Sequence, residues 1–130
     1  MKKIALTCII DDDPIYIFGT RRMMEIANFC ESFMIFNNGK NALETLEKII
    51  LAEGTLPELI LLDLNMPIMD GWEFLDEFIK IPCQQKVTIY IITSSIDNED
   101  IKKAKTYSHV SNYILKPVTV DSLKVILEEL

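Results

Sequence analysis

The run from Ile4 to Ile10 is largely apolar and partly β-branched, and it stops abruptly at three aspartates and a proline. A short continuous apolar run of this kind marks a strand buried on both faces, whereas strict alternation marks a strand with one wet face. The pattern returns in ELILLDLNMP, residues 58–67, which passes into polar residues at Asp63, and in VTIYIITSS, residues 87–95. SFMIF, residues 32–36, and NYILKP, residues 112–117, read as two further strands. Between these runs apolar residues recur at helical spacing. A first helix is expected from Pro14 to about Asn28, with Asp13 as N-cap, Pro14 at the first helical position, and Ile15, Phe18 and Ile26 among its apolar positions. NNG, residues 37–39, reads as a turn, followed from Asn41 by a helix carrying Ala42, Leu43, Leu46, Ile49 and Ile50 and stopped at Gly54.

DGWEFLDEFIK, residues 70–80, reads as a short helix with Trp72, Leu75, Phe78 and Ile79 inward or partly so. NEDIKKAKTY, residues 98–107, is a polar and weak fourth helix, and TVDSLKVILEEL, residues 119–130, closes the chain with Leu123, Ile126, Leu127 and Leu130 at helical spacing. Five strand-then-helix units imply an α/β fold, a parallel sheet covered by helices on both faces. In such sheets ligands bind at the carboxyl ends of the strands, near the point where strand order reverses. Those ends carry Asp11, Asp12 and Asp13, then Asp63, then Thr93, Ser94 and Ser95, then Lys116 and Pro117.

Composition narrows the picture. The 130 residues suit one domain spanning residues 1–130, and 49% apolar residues argue for a packed core. With 13 basic against 20 acidic residues the net charge is −7, which disfavours nucleic acid or an anionic membrane as partner. The start MKKIALTCII has a basic end and an apolar run, but it is too short for a signal peptide and runs into aspartates. Cys8, Cys30 and Cys83 have neither zinc-like nor redox-motif spacing and read as free thiols, consistent with a reducing cytoplasm.

Like charges packed together raise one another's pKa unless a cation or hydrogen bonds intervene. Carboxylate oxygens with a backbone carbonyl and water make a hard site suited to Mg²⁺. Asp63, at the tip of an apolar strand, is placed to act as a nucleophile and become an aspartyl phosphate. That chemistry needs charge neutralised on the transferring oxygens, by the metal on one side and an amine, Lys116, on the other. Thr93 offers a hydroxyl to a phosphoryl oxygen, and the small Ser94 leaves room while offering its backbone N–H.

DDDP, LLDLNMPIMDG, IITSS and NYILKP stand in the order found in receiver domains of two-component response regulators, and the chain resembles that family over essentially its whole length. The resemblance implies a flavodoxin-like, doubly wound five-stranded parallel sheet of order 2-1-3-4-5 with five helices, like the stand-alone chemotaxis receivers. It implies Asp63 as phosphoacceptor, Asp11 and Asp12 as the acidic pair, Asp12 as direct metal ligand and Asp11 as a ligand through water. The Asn65 backbone carbonyl is the third protein ligand, and the backbones of Asn65 and Ser94 contact the phosphoryl group. Thr93 and Tyr113 form the switch, Lys116 pairs with the phosphate, and a cis bond is expected at Lys116-Pro117. Asn65 and Ser95 occupy positions that tune phosphoryl lifetime.

The partners implied are a sensor histidine kinase or a histidine phosphotransfer protein, and a protein target on the face of the fourth helix, fifth strand and fifth helix. With the last helix reaching the C-terminus, the protein is expected to act without an output domain, as a phosphoacceptor rather than an enzyme that turns over substrate. Two other functions share parts of this pattern. A haloacid-dehalogenase-type phosphatase also forms an aspartyl phosphate, but it has a second acid where this chain has Asn65. A flavin binder shares the fold, but it needs a phosphate-cradling loop where this chain has three aspartates. A degenerate receiver acting only as a binding module is the remaining alternative. The simplest readings of the other residues are a helix cap for Asp13, a surface position for His109, core filling for the methionines, a half-buried packing aromatic for Tyr113 beside any switch role, and for Trp72 a partly exposed residue beside the site that serves as a fluorescence reporter and not as a ligand.

Overall fold

The computed structural model describes residues 3–94 and 97–130, so the reading of Ser95 lies outside the described residues. Strands β1 (Ile4–Ile10), β2 (Cys30–Phe36), β3 (Leu59–Asp63), β4 (Thr88–Thr93) and β5 (Val110–Leu115) alternate with helices α1 (Pro14–Ala27), α2 (Gly39–Leu51), α3 (Gly71–Phe78), α4 (Asn98–Lys105) and α5 (Val120–Glu129). The strands form one parallel sheet in the order β2-β1-β3-β4-β5. Strand order reverses beside β1, and that places the ends of β1 and β3 side by side at the edge where a ligand is expected.

Every residue of β3 and β4 is buried. Alternate side chains feed two cores. Ile60, Leu62, Ile89 and Ile91 join Leu46 of α2, Phe74 and Leu75 of α3 and Ala104 of α4 on one face. Leu59, Leu61, Tyr90 and Ile92 join Met24 of α1 and Leu123 and Ile126 of α5 on the other. This period of two, with both faces covered, is why the strands read as unbroken apolar runs.

Helix starts follow local hydrogen bonding. The Asp13 side chain accepts from the Ile15 N–H at 2.9 Å with Pro14 at the first helical position, as the sequence predicts. Asn38 caps α2 by accepting from the Asn41 N–H, so NNG opens the helix instead of forming a separate turn, and α2 begins at Gly39. Asp70 and Glu73 form a capping box at α3. At the end of α2 it is Glu53, with φ 57, and not Gly54 that takes the left-handed conformation, while the Gly54 N–H reaches back to the Ile49 carbonyl.

The inward face of α1 does not follow its apolar residues. Ile15 and Phe18 are 79% and 72% exposed and Ile26 is exposed too, while Thr20 and Met24 are buried. Apolar residues lie on both sides of this helix, so periodicity alone does not set its phase. The capped start at Asp13 and the packing of Met24 against the sheet do.

Where α3 faces α4, Trp72 stacks on Tyr107 with ring centroids 5.7 Å apart, and the Lys103 ammonium sits 4.8 Å above the indole. The Tyr107 hydroxyl donates to Asp76 at 2.5 Å; burial, then Asp76, push the phenol up to about 12.

Candidate functional site

The site is assembled from strand ends. Asp11 follows β1, Asp63 ends β3, Thr93 ends β4, and Lys116 follows β5, its backbone N–H donating to the Thr93 carbonyl at 2.7 Å. The Lys116-Pro117 bond is cis, as the resemblance implies. Asp11 and Asp63 are buried and Asp12 is exposed, and one carboxylate oxygen from each lies within 4.8 Å of the others. Asp13, the fourth acid of the region, is spent on the helix cap and does not join this group.

Lys116 is the central cation. Its Nζ lies 2.9 Å from Asp11 Oδ2 and 3.5 Å from Asp63 Oδ1, and its side chain is only 6% exposed. Tyr16, from the first turn of α1, presents its ring to the same ammonium with the centroid 4.2 Å from Nζ. Nothing in the local sequence marks Tyr16, because the contact joins the first helix to the end of the last strand. In the fold Tyr16 lies one turn before buried Thr20, on the inward side of α1.

The electrostatics follow from burial. Desolvation lifts the Asp63 carboxyl from 3.8 to about 6; the Asp11 charge adds to this, while Lys116 and the Asn65 backbone N–H hold it down. Burial pulls the Lys116 ammonium towards neutrality, but the hydrogen bond and charge of Asp11, followed by those of Asp63, outweigh it and leave its pKa raised. Lysine is therefore charged and Asp63 is an unusually proton-hungry carboxylate, a state that a bound cation would relieve.

The remaining candidates surround this cluster. Asn65 is exposed in the loop after β3, and Ser94 is exposed just after β4. Thr93 is buried and shares a crevice with Leu64, Ile91, Ile101, Ala104 and Tyr113, which joins the site to α4 and β5. The loop from Asn65 to Asp70 is held in shape by two devices. Ile68 has φ 72 and the Met69 N–H donates to the Pro67 carbonyl at 2.8 Å, a tight turn of a strained kind for a β-branched residue. Gly71 packs so closely behind β3 that a Cβ there would lie 2.6 Å from the Asp63 carbonyl oxygen and 2.9 Å from Leu64 Cα, both backbone atoms. Any larger residue displaces the segment that carries Asp63.

Comparison with known proteins gives the same assignment. A family model for the response regulator receiver domain matches residues 7–128. A two-component response regulator from Cytophaga hutchinsonii superposes with a TM-score of 0.88 at 30% identity, over 98% of this chain and 97% of that one. The probable methanogenesis regulatory protein FilR2 of Methanothrix harundinacea is 29% identical over 125 residues, covering 94% of this chain and 78% of that protein. The transcriptional regulatory protein HptR of Staphylococcus aureus is 31% identical over 122 residues, and the match spans 94% of this chain but only 44% of HptR. The sheet order, the acids and lysine gathered at the carboxyl edge, and a family match over nearly the whole length agree, and the chain belongs to the response regulator receiver domain family.

Proposed function

We propose that the chain is a phosphoacceptor of a two-component relay, taking a phosphoryl group onto Asp63 from the histidine of a sensor kinase or of a histidine phosphotransfer protein. The observation that carries this reading is the contact of one buried ammonium, Lys116, with two buried carboxylates, Asp11 and Asp63, at the sheet edge where ligands bind. An Asp63 oxygen forms the bond to phosphorus as the P–N bond to the donor imidazole breaks, and the electron pair leaves with the imidazole nitrogen. Charge on the phosphoryl oxygens is met by the Lys116 ammonium, the Thr93 hydroxyl and the backbone N–H groups of Asn65 and Ser94.

The donor set is all oxygen and closely grouped, which fits a hard divalent cation. Asp12, Asp63 and the Asn65 carbonyl would hold Mg²⁺ directly and Asp11 through water. When bound, the ion supplies charge neutralisation at the transferring group. Asn65, standing where a phosphatase of the haloacid dehalogenase type has its second acid, supports a stable acceptor over a turnover enzyme. The chain then contributes only to its own phosphorylation and dephosphorylation.

Output follows from the crevice that Thr93 shares with Tyr113 and α4. A phosphoryl oxygen that draws the Thr93 hydroxyl inward frees space for the Tyr113 ring and reshapes the face of α4, β5 and α5, the candidate surface for a protein target. The net charge of −7 supports a protein over nucleic acid as that target. Among the described residues no helix is long and apolar enough to cross a membrane, which suits a cytoplasmic relay. The test is intact-mass spectrometry after incubation with acetyl phosphate and Mg²⁺. One phosphoryl group is expected on the wild type and none on Asp63→Asn, and labelling that survives the substitution refutes the assignment.

A further inference from the structure

The Lys116 ammonium has three N–H donors. Two directions are taken by Asp11 Oδ2 at 2.9 Å and Asp63 Oδ1 at 3.5 Å, and the face of Tyr16 covers the head group with its centroid at 4.2 Å. We infer that Tyr16 is a positioning residue for phosphoryl transfer, holding the Lys116 ammonium over Asp63 by the face of its ring. The inference rests on the phosphoacceptor reading of Asp63.

A lysine is a point charge on a flexible, strongly hydrated stem, so its burial does not by itself aim it. The negative face of an aromatic ring attracts the ammonium and excludes water from that side. A ring face also differs from a carboxylate or a water in having no single acceptor direction. The ammonium can slide along it from the Asp63 oxygen to an incoming phosphoryl oxygen without any donor becoming unsatisfied. Tyr16 is itself held by the start of α1: Asp13 caps the Ile15 N–H at 2.9 Å and Pro14 occupies the first helical position, so the turn that presents the ring is fixed. Asp13, outside the carboxylate cluster, thereby acts on the site through the helix it starts.

The experiment compares wild type, Tyr16→Phe and Tyr16→Leu by two measurements. The first is the rate of phosphorylation by acetyl phosphate with Mg²⁺, as a function of donor concentration. The second is the NMR position of the Lys116 ε-methylene group in the unphosphorylated protein. Tyr16→Phe keeps the ring and is expected to match the wild type in both. Tyr16→Leu is expected to lower the saturating rate roughly fivefold, the scale of one partly desolvated cation–π contact, and to move the ε-methylene resonance back from its upfield, ring-shifted position. An ε-methylene at its ordinary position in the wild type overturns the inference, and this holds whether or not Tyr16→Leu folds. Normal uptake by a folded Tyr16→Leu overturns it alone. A wild type that takes no phosphoryl group overturns the phosphoacceptor reading together with it.

Discussion

Replacing Asp63 with asparagine should stabilise the metal-free protein at neutral pH, and the gain should disappear in acid. Burial and the neighbouring Asp11 charge move the Asp63 carboxyl from 3.8 to about 6. At about 1.4 kcal/mol for each tenfold change in proton affinity, that is ~3 kcal/mol against the ionised form. An acid whose proton affinity rises on folding is penalised when ionised. The penalty is therefore fully present above pH 6, fades as the pH falls through 6 towards 3.8, and is gone where Asp63 is protonated in folded and unfolded chains alike. Asparagine keeps the shape without the charge, and Lys116 retains Asp11 at 2.9 Å, so the substitution does not strand a buried cation. With EDTA at pH 7.5, Asp63→Asn should melt roughly 10 °C above wild type, by the usual ratio of stability to Tm for a domain of this size. The gap should close steadily between about pH 6.5 and 4. Thermal melts of both proteins across that range provide the assay. A variant that melts at or below wild type at pH 7.5, or a gap that does not narrow in acid, refutes the account of Asp63 as a desolvated, charge-crowded carboxylate.

Millimolar Mg²⁺ should raise the melting temperature of the wild type, since a ligand at ten times its Kd adds about 1.4 kcal/mol, and Asp12→Ala should lose the response; an indifferent wild type counts against the site. Gly71→Ala should destabilise the fold by about 1–3 kcal/mol, because its Cβ meets backbone, and should shift the amide resonances of Asp63 and Leu64, which would otherwise stay in place. Ile68→Gly should stabilise by about 1 kcal/mol through release of backbone strain, seen as a higher denaturant midpoint; an unchanged midpoint would mean that the turn stores no strain.

The strands and the candidate site at their ends were legible because burial on both faces writes an apolar run, and the polar residue that breaks it is where the chain reaches the sheet edge. Asp63 and Asp11 were readable for that reason, and Lys116 by its place after the last strand. Helix phase was less legible. Ile15, Phe18 and Ile26 are apolar positions of α1 yet exposed, and the face that packs runs through Thr20 and Met24, chosen by a cap and by the sheet beneath. Boundaries at Asn38 and Glu53 escaped because side-chain capping and a left-handed backbone were decided there by residues other than the glycines that punctuate the sequence. The Tyr16–Lys116 contact escaped altogether, since cation–π pairing depends on orientation across the fold and leaves no local pattern.

Trp72 is the only tryptophan, and its indole lies between α3 and the helix that follows β4, stacked on Tyr107 and covered by Lys103. The colour and yield of indole emission respond to charge held above the ring and to water at its edge. The protein's tryptophan emission therefore reports on the α3–α4 seam. Ile101 and Ala104 of that same α4 line the crevice shared by Thr93 and Tyr113. A displacement of α4 that lifted Lys103 off the ring would thus change the emission of the unlabelled chain, so the indole reads the position of α4 without any added label.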